Sequence, residues 1–415
     1  MILRDLLNTF KGSMYKNALF LILNSLIMSG LGFIFWAINA RIFNSDDVGL
    51  ALTLISSMTL ITTLSIFGLD DSIIKFLSKA NNKKDIINSI YSICTINTVI
   101  FSLIFVIFIK LFAPKLSNMF NNVFFNLLFI LFVVLWTLFV ITDGVFISLK
   151  NSKYVLIKNF IFSTLKLVFP FILVSLGYIG IFSSWIIALI ITLIIVTIII
   201  LKKFKYTPKF IINFKPIKNM LIFTFSNYVM RILLSSPGLL LPLIITNFLS
   251  PKDTAYFYMA WIISESISVI PNSIATSLFA ETSTNDLDIK EKIKKALKLI
   301  YLLLIPTIIF IIMLSKFILG FFGEDYIANS LNLLIILIIT SVPFSLNSIF
   351  ITLNKVKNNS KKLIFIGLYF FIVFLTISWL LINKYGITGI GIGWFVTNLI
   401  FSFYAIIKIK NYNER

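Results

Sequence analysis

The chain has 415 residues, of which 59% are hydrophobic and 13% are charged, and its formal net charge is +20. Soluble globular domains are about 45–50% apolar and about 25% charged, so this composition excludes an ordinary water-soluble fold and indicates a polytopic membrane protein. The chain has no histidine and one cysteine, Cys94. This excludes an internal disulfide, zinc sites built on His or paired Cys, and His-dependent catalytic triads, so we expect no cofactor and no metal site.

Twelve apolar segments are long enough to cross the membrane, since a spanning helix needs about 20 residues. We therefore predict an all-α polytopic membrane protein with twelve transmembrane helices. The longest connections are 202–219 and 281–296, so no soluble domain is expected between the spans. The predicted spans lie at about 18–38, 48–69, 88–110, 124–149, 155–176, 179–201, 220–246, 255–275, 297–319, 329–353, 363–382 and 388–407.

Lysine and arginine are unevenly distributed between the connections. With both termini and the even-numbered connections on one side, that side holds 28 of the 36 basic residues and the other holds 6. The remaining two, Lys166 and Arg231, lie inside predicted spans. Because basic residues are enriched on the cytoplasmic side, we predict that both termini are cytoplasmic.

A weak internal repeat relates the two halves of the chain at an offset near 206 residues. Within this repeat, Gly180 and Trp185 align with Gly389 and Trp394 at an offset of 209 residues. An offset of six helices preserves orientation, as in transporters built from parallel repeats, which bind substrate where the repeats meet.

The repeat and the basic segment in its middle predict three parts. An N-terminal lobe at 1–201 carries spans one to six, a basic cytoplasmic linker occupies 202–219, and a C-terminal lobe at 220–415 carries spans seven to twelve. We expect these parallel six-helix lobes to surround a central cavity.

Two segments of the first lobe resemble a known family. Residues 40–49 read Ala-Arg-Ile-Phe-Asn-Ser-Asp-Asp-Val-Gly, and residues 67–76 read Phe-Gly-Leu-Asp-Asp-Ser-Ile-Ile-Lys-Phe. They resemble the first-loop signature and the end of the second helix in the oligosaccharide (polysaccharide) flippase family. That family belongs to the wider multidrug/oligosaccharidyl-lipid/polysaccharide exporter superfamily, whose members have two six-helix lobes. We expect none of the extra C-terminal helices that some members carry.

The resemblance implies a transporter rather than an enzyme. It would flip a lipid-linked oligosaccharide, on a carrier such as polyprenyl pyrophosphate, from the inner to the outer leaflet for cell-surface polysaccharide biosynthesis. Alternating access is the implied mechanism, and the plasma membrane of a prokaryote is the expected location. Membrane lipids and glycan assembly enzymes are further partner classes, and no nucleic acid is expected.

Two alternatives remain open at this point. A drug or metabolite antiporter of the same superfamily would use an ion-coupling acid such as Glu265. A membrane glycosyltransferase with a polyprenyl donor would use the paired acids Asp46 and Asp47, but every predicted outside loop is short. Acids just before a span are also typical of a helix N-terminus, where their carboxylates accept hydrogen bonds from the free N–H groups and interact favourably with the helix dipole.

Charged residues inside spans are costly and mark functional sites. Arg231 and Lys166 lie about eleven residues into their spans, and we predict that they bind the diphosphate of the substrate. Glu265 and Asp143 are candidates for ion coupling or charge pairing. In the alternative interpretation, Arg231 pairs with Glu265 and Lys166 reaches Asp143, which would be structural neutralisation only.

A gate is predicted at the cytoplasmic end of span two. Asp70 and Asp71, with Lys75, lie where the helix is expected to end. Acids are unfavourable at a helix C-terminus, which suggests a salt bridge with a cytoplasmic lysine. Plain solvation at the membrane surface is the alternative.

A hinge is predicted in the middle of span seven. Ser236, Pro237 and Gly238 follow one another there, and proline removes a helical hydrogen bond and favours a bend. The family resemblance also implies that the first helix of each lobe bends during transport. A static kink that improves packing is the alternative.

Overall fold

Apolar residues fill long helical segments, and the polar residues that stop them are few. The structure, a computed structural model, describes residues 13–77, 82–284, 289–357 and 359–410. Within those ranges it contains helices and no β-strand. The predicted all-α membrane fold is confirmed.

Thirteen α-helices lie in the described ranges, with two 3-10 helices between them at Pro114–Asn121 and Val174–Leu176. The α-helices are α1 (Ser13–Ile42), α2 (Ser45–Ile66), α3 (Leu69–Phe76), α4 (Lys83–Ile107), α5 (Ile109–Phe112), α6 (Val123–Ser148), α7 (Ser152–Ile172), α8 (Tyr178–Lys203), α9 (Phe214–Phe248), α10 (Pro251–Thr284), α11 (Ile289–Gly320), α12 (Glu324–Val356) and α13 (Ser360–Lys410).

Eleven helices of the described chain are long and apolar enough to cross a membrane. The last, α13, has 51 residues and is interrupted at Gly386, whose backbone is non-helical. At 1.5 Å per residue, 51 residues would span roughly 76 Å, more than twice the hydrocarbon core of about 30 Å. The last two predicted spans therefore both lie on α13, one before and one after Gly386, and the count of twelve stays a prediction.

Helices in the second half run further than the apolar pattern predicted. The connection expected at 281–296 is helical at both ends, because α10 continues to Thr284 and α11 begins at Ile289. The start of α11 is rich in Lys, Glu, Ala and Leu, which are strong helix formers. Glu291 and Lys295 also form an ion pair at 2.7 Å one turn apart. Hydropathy detects the apolar part of a helix only, so the polar extension was missed.

The chain divides into two compact units, Met1–Tyr228 and Val229–Arg415. The division falls inside α9, so the first unit contains the 202–219 segment and the beginning of that helix. The structure thus assigns the basic segment to the first unit.

The 204–213 segment is not helical and is hydrogen-bonded to α4. The backbone N–H groups of Lys209, Ile211 and Asn213 donate to the side chains of Asn88, Ser92 and Ser89 at 2.9, 3.2 and 3.0 Å respectively. The hydroxyl of Tyr206 also donates a hydrogen bond to the side-chain amide oxygen of Asn88. Burial raises the pKa of that tyrosine to about 12, so it remains a neutral donor. A segment that lacks helical hydrogen bonds thereby has three N–H groups satisfied by side chains.

Among the described residues, the same unusual backbone occurs once in each unit. Gly177, just before α8, has φ 57° and ψ −136°, and Gly386, inside α13, has φ 55° and ψ −140°. They are 209 residues apart, the offset that also relates Gly180 to Gly389. A Cβ on Gly180 or Gly389 would lie 2.1 or 2.5 Å from a backbone carbonyl oxygen that precedes the turn. The weak sequence repeat therefore corresponds to a repeated tight turn between two helices.

Candidate intramembrane binding sites

Lys158 is the most completely buried charge described in the first unit. Its side chain is 0% exposed and its ammonium lies 2.8 Å from a carboxylate oxygen of Asp143. The same ammonium donates to the carbonyl oxygen of Phe139 at 2.6 Å and lies 3.4 Å from the centre of that ring. Asp143 thus pairs with Lys158. It does not pair with Lys166, the partner proposed in one interpretation of the sequence.

Sequence reasoning missed Lys158 because it was counted with the cytoplasmic basic residues. By the predicted bounds it already lies three residues inside span five, and α7 begins at Ser152, six residues before it. An intramembrane Asp such as Asp143 needs a compensating group. That need was the signal that could have identified Lys158.

Lys166 lies two turns further along α7 and has aromatic surroundings. It is 4% exposed, and its ammonium lies 5.0 Å from the ring of Phe35, 5.3 Å from Phe162 and 5.0 Å from Trp185. Each ring attracts the cation through its π electrons. Among the described residues, Lys166 has no hydrogen bond or ion pair with an acid, so its charge is solvated by rings and not neutralised.

Two indole N–H donors lie in the same aromatic cluster, which we define as Phe35, Trp136, Phe162 and Trp185. The rings of Trp136 and Trp185 are 5.1 Å apart, and Trp136 is 5.7 Å from Phe162. The Nε1 atoms of both tryptophans are buried without a hydrogen-bond partner in the described structure. A buried donor that stays unpaired costs about 1–3 kcal/mol. The aromatic cluster thus combines one cation and two donors with no matching acceptor among the described residues.

Asp47 accepts a hydrogen bond from the N-terminus of a distant helix. Its carboxylate accepts from the backbone N–H of Tyr178, the first residue of α8, at 2.9 Å. Asp46 and Asp47 also lie in the first turn of α2, where the helix dipole stabilises negative charge. Asn44, the residue before α2, makes no side-chain capping bond. The predicted helix-end role holds for this acid pair, but Asp47 caps α8 across 131 residues of sequence.

The premise of the predicted gate is wrong. Span two ends at Ile66, because the next residues, Phe67 (φ 51°) and Gly68 (φ 74°), are left-handed. Asp70 and Asp71 therefore lie in the first turn of α3, and Lys75 lies in its last turn. Acids at a helix N-terminus and a base at its C-terminus are both favourable. The ends of α3 account for their placement, and a gate at these residues stays a prediction.

In the second unit, Arg231 and Glu265 lie on consecutive helices. Arg231 is half-buried on α9, and its carbonyl oxygen accepts from the hydroxyl of Ser235 at 2.7 Å. Glu265 is exposed on α10, and its carboxylate has no ion pair or hydrogen bond with a described residue. The alternative pairing of Arg231 with Glu265 is thus not observed.

The predicted hinge is helical in this structure. α9 is continuous from Phe214 to Phe248 and contains Pro237 and Pro242. Pro237 is buried, while the side chain of Ser236 lies outside the described residues. A Cβ on Gly238 would have one neighbour, a ring carbon of Trp261 at 3.9 Å. Bending at this stretch stays a prediction.

Two solved transport proteins have a fold similar to that of this chain. The lipid II flippase MurJ, in an inward closed conformation, superposes with a TM-score of 0.74 at 15% identity, over 95% of this chain and 87% of its own. An inward-facing multidrug resistance MATE family transporter of the MOP superfamily superposes with a TM-score of 0.69 at 12% identity, over 92% of this chain and 94% of its own. At these identities the similarity establishes the fold alone.

Sequence comparisons lead to the family. A proposed O-antigen transporter of Shigella flexneri is 28% identical over 155 residues, which are 36% of this chain and 37% of that relative. The match thus spans little more than a third of the relative. The model of a family described as polysaccharide biosynthesis protein matches residues 14–279, well over half of the chain. This chain therefore belongs to the polysaccharide biosynthesis protein family.

Proposed function

We propose that this protein flips a lipid-linked oligosaccharide from the cytoplasmic to the outer leaflet of a prokaryotic plasma membrane, with both termini in the cytoplasm. The carrier would be a polyprenyl pyrophosphate, and the glycan would serve cell-surface polysaccharide biosynthesis. The family, the transport role named for the Shigella relative and the flippase fold support this proposal. Enzymes that assemble the glycan would supply the substrate.

The observation that carries the proposal is the excess of donors around Lys166. An ammonium held by rings, with two indole N–H groups in the same aromatic cluster, favours a ligand that brings negative charge and hydrogen-bond acceptors. A diphosphate has both. It also needs such a partner, because an ionised group costs several kcal/mol or more in the bilayer interior unless it is compensated.

Arg231 is the corresponding residue proposed for the second unit. Its guanidinium is always protonated and can hold phosphate oxygens with two parallel hydrogen bonds. One cation in each unit would let the diphosphate stay compensated while the protein changes between inward-open and outward-open forms. The helix at Ser236, Pro237 and Gly238 is the proposed site of bending, and the two predicted lobes, 1–201 and 220–415, are the proposed moving parts.

The test compares variants of Lys166 in liposomes that contain a fluorescent lipid-linked oligosaccharide. Lys166→Met keeps the apolar stem and removes the charge. We expect its flipping rate to fall about tenfold or more, equivalent to about 1.4 kcal/mol, while its thermal stability is unchanged or higher. Stability should not fall because the lost charge has no acid partner among the described residues.

Arg231→Lys and Arg231→Ala complete the test. Arg231→Lys keeps the charge without the bidentate geometry and should leave weak residual transport, whereas Arg231→Ala should abolish it. Wild-type flipping by both Lys166→Met and Arg231→Ala, at wild-type protein levels, would overturn the proposed binding of the diphosphate.

A second candidate function is ion-coupled export of a drug or metabolite, and the unpaired carboxylate of Glu265 in the described structure favours it. Glu265→Gln separates the two. An ion-coupling acid would lose transport on this change, whereas a flippase that does not use Glu265 would keep its rate. Export by the wild type that follows an imposed ion gradient, and that is lost in Glu265→Gln, would support the antiporter.

A further inference from the structure

The second unit contains a cavity of about 380 Å³ that the predicted site residues do not explain. Its wall is formed by α9, α10, α12 and both parts of α13. Ligand cavities are commonly about 300–1,000 Å³, so this one is small and suits one or two sugar rings better than a whole oligosaccharide. The residues that line it, apart from those discussed below, are Leu234, Pro237, Ala275, Thr276, Phe344, Ile351 and Phe370.

One face of α12 supplies the polar half of the wall. Asn347, Ser348, Thr352 and Lys355 all line the cavity, at spacings that place them on one side of a helix. On α10, Asn272 completes this surface, and its amide oxygen accepts from the hydroxyl of Ser348 at 3.2 Å. The helical spacing of these polar residues on α12 was the sequence signal that could have revealed the site.

The amide of Asn347 is oriented by its partners. Its Nδ2 donates to the backbone oxygen of Asn398 at 3.0 Å and to the side-chain oxygen of Asn398 at 3.1 Å. Asn398 is itself held, because its Nδ2 donates to the carbonyl oxygen of Trp394 at 2.9 Å. Rotating the Asn347 amide by half a turn would place oxygen against two oxygens, so Nδ2 must face Asn398.

This orientation leaves an acceptor without a donor. The Oδ1 atom of Asn347 is buried and has no hydrogen-bond partner in the described structure, and the residue is 1% exposed. A buried acceptor of this kind favours a ligand that donates a hydrogen bond. It disfavours a phosphate, which only accepts, and an apolar lipid tail, which would leave it unpaired.

Trp394 adds a flat aromatic surface to the same cavity. Its ring is held edge-on by Phe374 at 4.9 Å and lies 5.7 Å from the ring of Trp261. A held indole offers a rigid apolar face with little entropy to lose on binding. The lining thus combines neutral amides, hydroxyls, an aromatic face and one lysine, Lys355, and it contains no acid.

We propose that this cavity is a saccharide subsite, a conclusion that rests on the proposed transport of a lipid-linked glycan. A sugar hydroxyl donates to Oδ1 of Asn347, further hydroxyls bond to Asn272 and Thr352, and the apolar face of the ring packs on Trp394. The subsite selects the glycan, whereas the diphosphate is bound elsewhere.

The experiment measures binding of the free glycan, without lipid or phosphate. The glycolipid that accumulates in cells lacking this protein is isolated, its oligosaccharide is released with mild acid, and the full-length protein is melted in detergent with and without it. A ligand that binds the folded state raises Tm. We expect the oligosaccharide to raise the Tm of the wild type and to leave the Tm of Asn347→Leu and Asn272→Ala unchanged.

Asn354→Leu is the matched control. Asn354 lies on the same helix, is 5% exposed, and bonds to the carbonyl oxygen of Phe350 at 2.7 Å, but it does not line the cavity. This variant should keep the wild-type shift in Tm. Asn272 is exposed, so Asn272→Ala remains an informative variant if Asn347→Leu does not fold.

The subsite is wrong if the oligosaccharide shifts the Tm of both cavity variants as much as that of the wild type, or if it shifts none of them. Failure of the proposed transport looks different. In that case no glycolipid accumulates without the protein, or the wild type does not move the isolated glycolipid in liposomes. Wild-type flipping without any glycan-dependent shift would reject the subsite alone.

Discussion

Two lysines on one helix are stabilised in opposite ways. Lys158 has a carboxylate at 2.8 Å and a carbonyl oxygen at 2.6 Å. Lys166, eight residues later, has three aromatic rings at 5.0–5.3 Å. The first arrangement neutralises a charge within the protein, while the second leaves a charge with no acid partner among the described residues. The two lysines therefore allow a structural role to be compared with the proposed binding role.

The pair predicts opposite effects on stability. Lys158→Met leaves Asp143 buried without its partner, and removing one member of a buried ion pair costs about 3 kcal/mol. We expect Tm to fall by several degrees in a detergent melting experiment. The double variant Lys158→Met with Asp143→Leu should recover most of the loss, because a well-packed apolar pair can replace a buried ion pair.

Lys166→Met is the control for this experiment and should not lower Tm. If Lys166→Met is as destabilised as Lys158→Met, then the aromatic cluster has a structural role and the substrate interpretation of Lys166 loses its basis. If the double variant is no more stable than Lys158→Met alone, the pair is not what stabilises this region.

At the scale of elements, tight turns between helices decide where the spans end. Gly177 and Gly386 share one backbone conformation that is accessible to glycine and strained for other residues. Their surroundings differ. A Cβ on Gly386 would have no neighbour within 4 Å, whereas one on Gly177 would lie 2.8 Å from the carboxylate of Asp47.

These glycines predict a graded loss of stability. Gly386→Ala should cost about 1–3 kcal/mol from backbone strain alone. Gly177→Ala should cost more, because the new methyl group also displaces Asp47. In the wild type the Asp47 carboxylate accepts a hydrogen bond from the N–H of Tyr178 at 2.9 Å. Thermal unfolding of the purified variants measures both.

Gly30→Ala gives the baseline, since a Cβ there meets nothing within 4 Å and the residue lies in a regular helix. It should be neutral or slightly stabilising. Equal stability of Gly177→Ala and Gly386→Ala would show that the contact with Asp47 contributes nothing, and wild-type stability of both would contradict the backbone argument.

At the scale of the whole molecule, the distribution of basic residues predicts the topology. Cysteines that replace Lys83 and Lys357 should resist impermeant thiol reagents in intact cells, and cysteines that replace Lys110 and Lys384 should be labelled. All four side chains are exposed in the structure. The background is Cys94→Ser, because Cys94 is the single native thiol and is fully buried.

Permeabilised cells provide the control, since all four cysteines should then react. Labelling of the cysteine at position 83 or 357 from outside would place that connection on the wrong side. It would contradict cytoplasmic termini, the even number of helices between the two halves and, with them, the parallel arrangement of the proposed lobes.

The sequence by itself determined the class of protein, the approximate spans and their repeat. These follow from local properties, because the cost of placing polar residues in hydrocarbon acts on each segment separately. The short helix α3 was not recognised, because its acids were read as the end of span two. Two left-handed residues, Phe67 and Gly68, decide that boundary, and Phe67 gives no sequence signal for such a conformation.

Only the tertiary structure decided which polar groups meet. Asp143 meets Lys158 instead of Lys166, Asp47 caps a helix 131 residues away, and Asn347 is oriented by a residue 51 positions later. Each of these contacts depends on which faces of two helices approach each other and at what height. Hydropathy fixes that a helix crosses the membrane, but the rotation of the helix about its axis is set by packing against its neighbours.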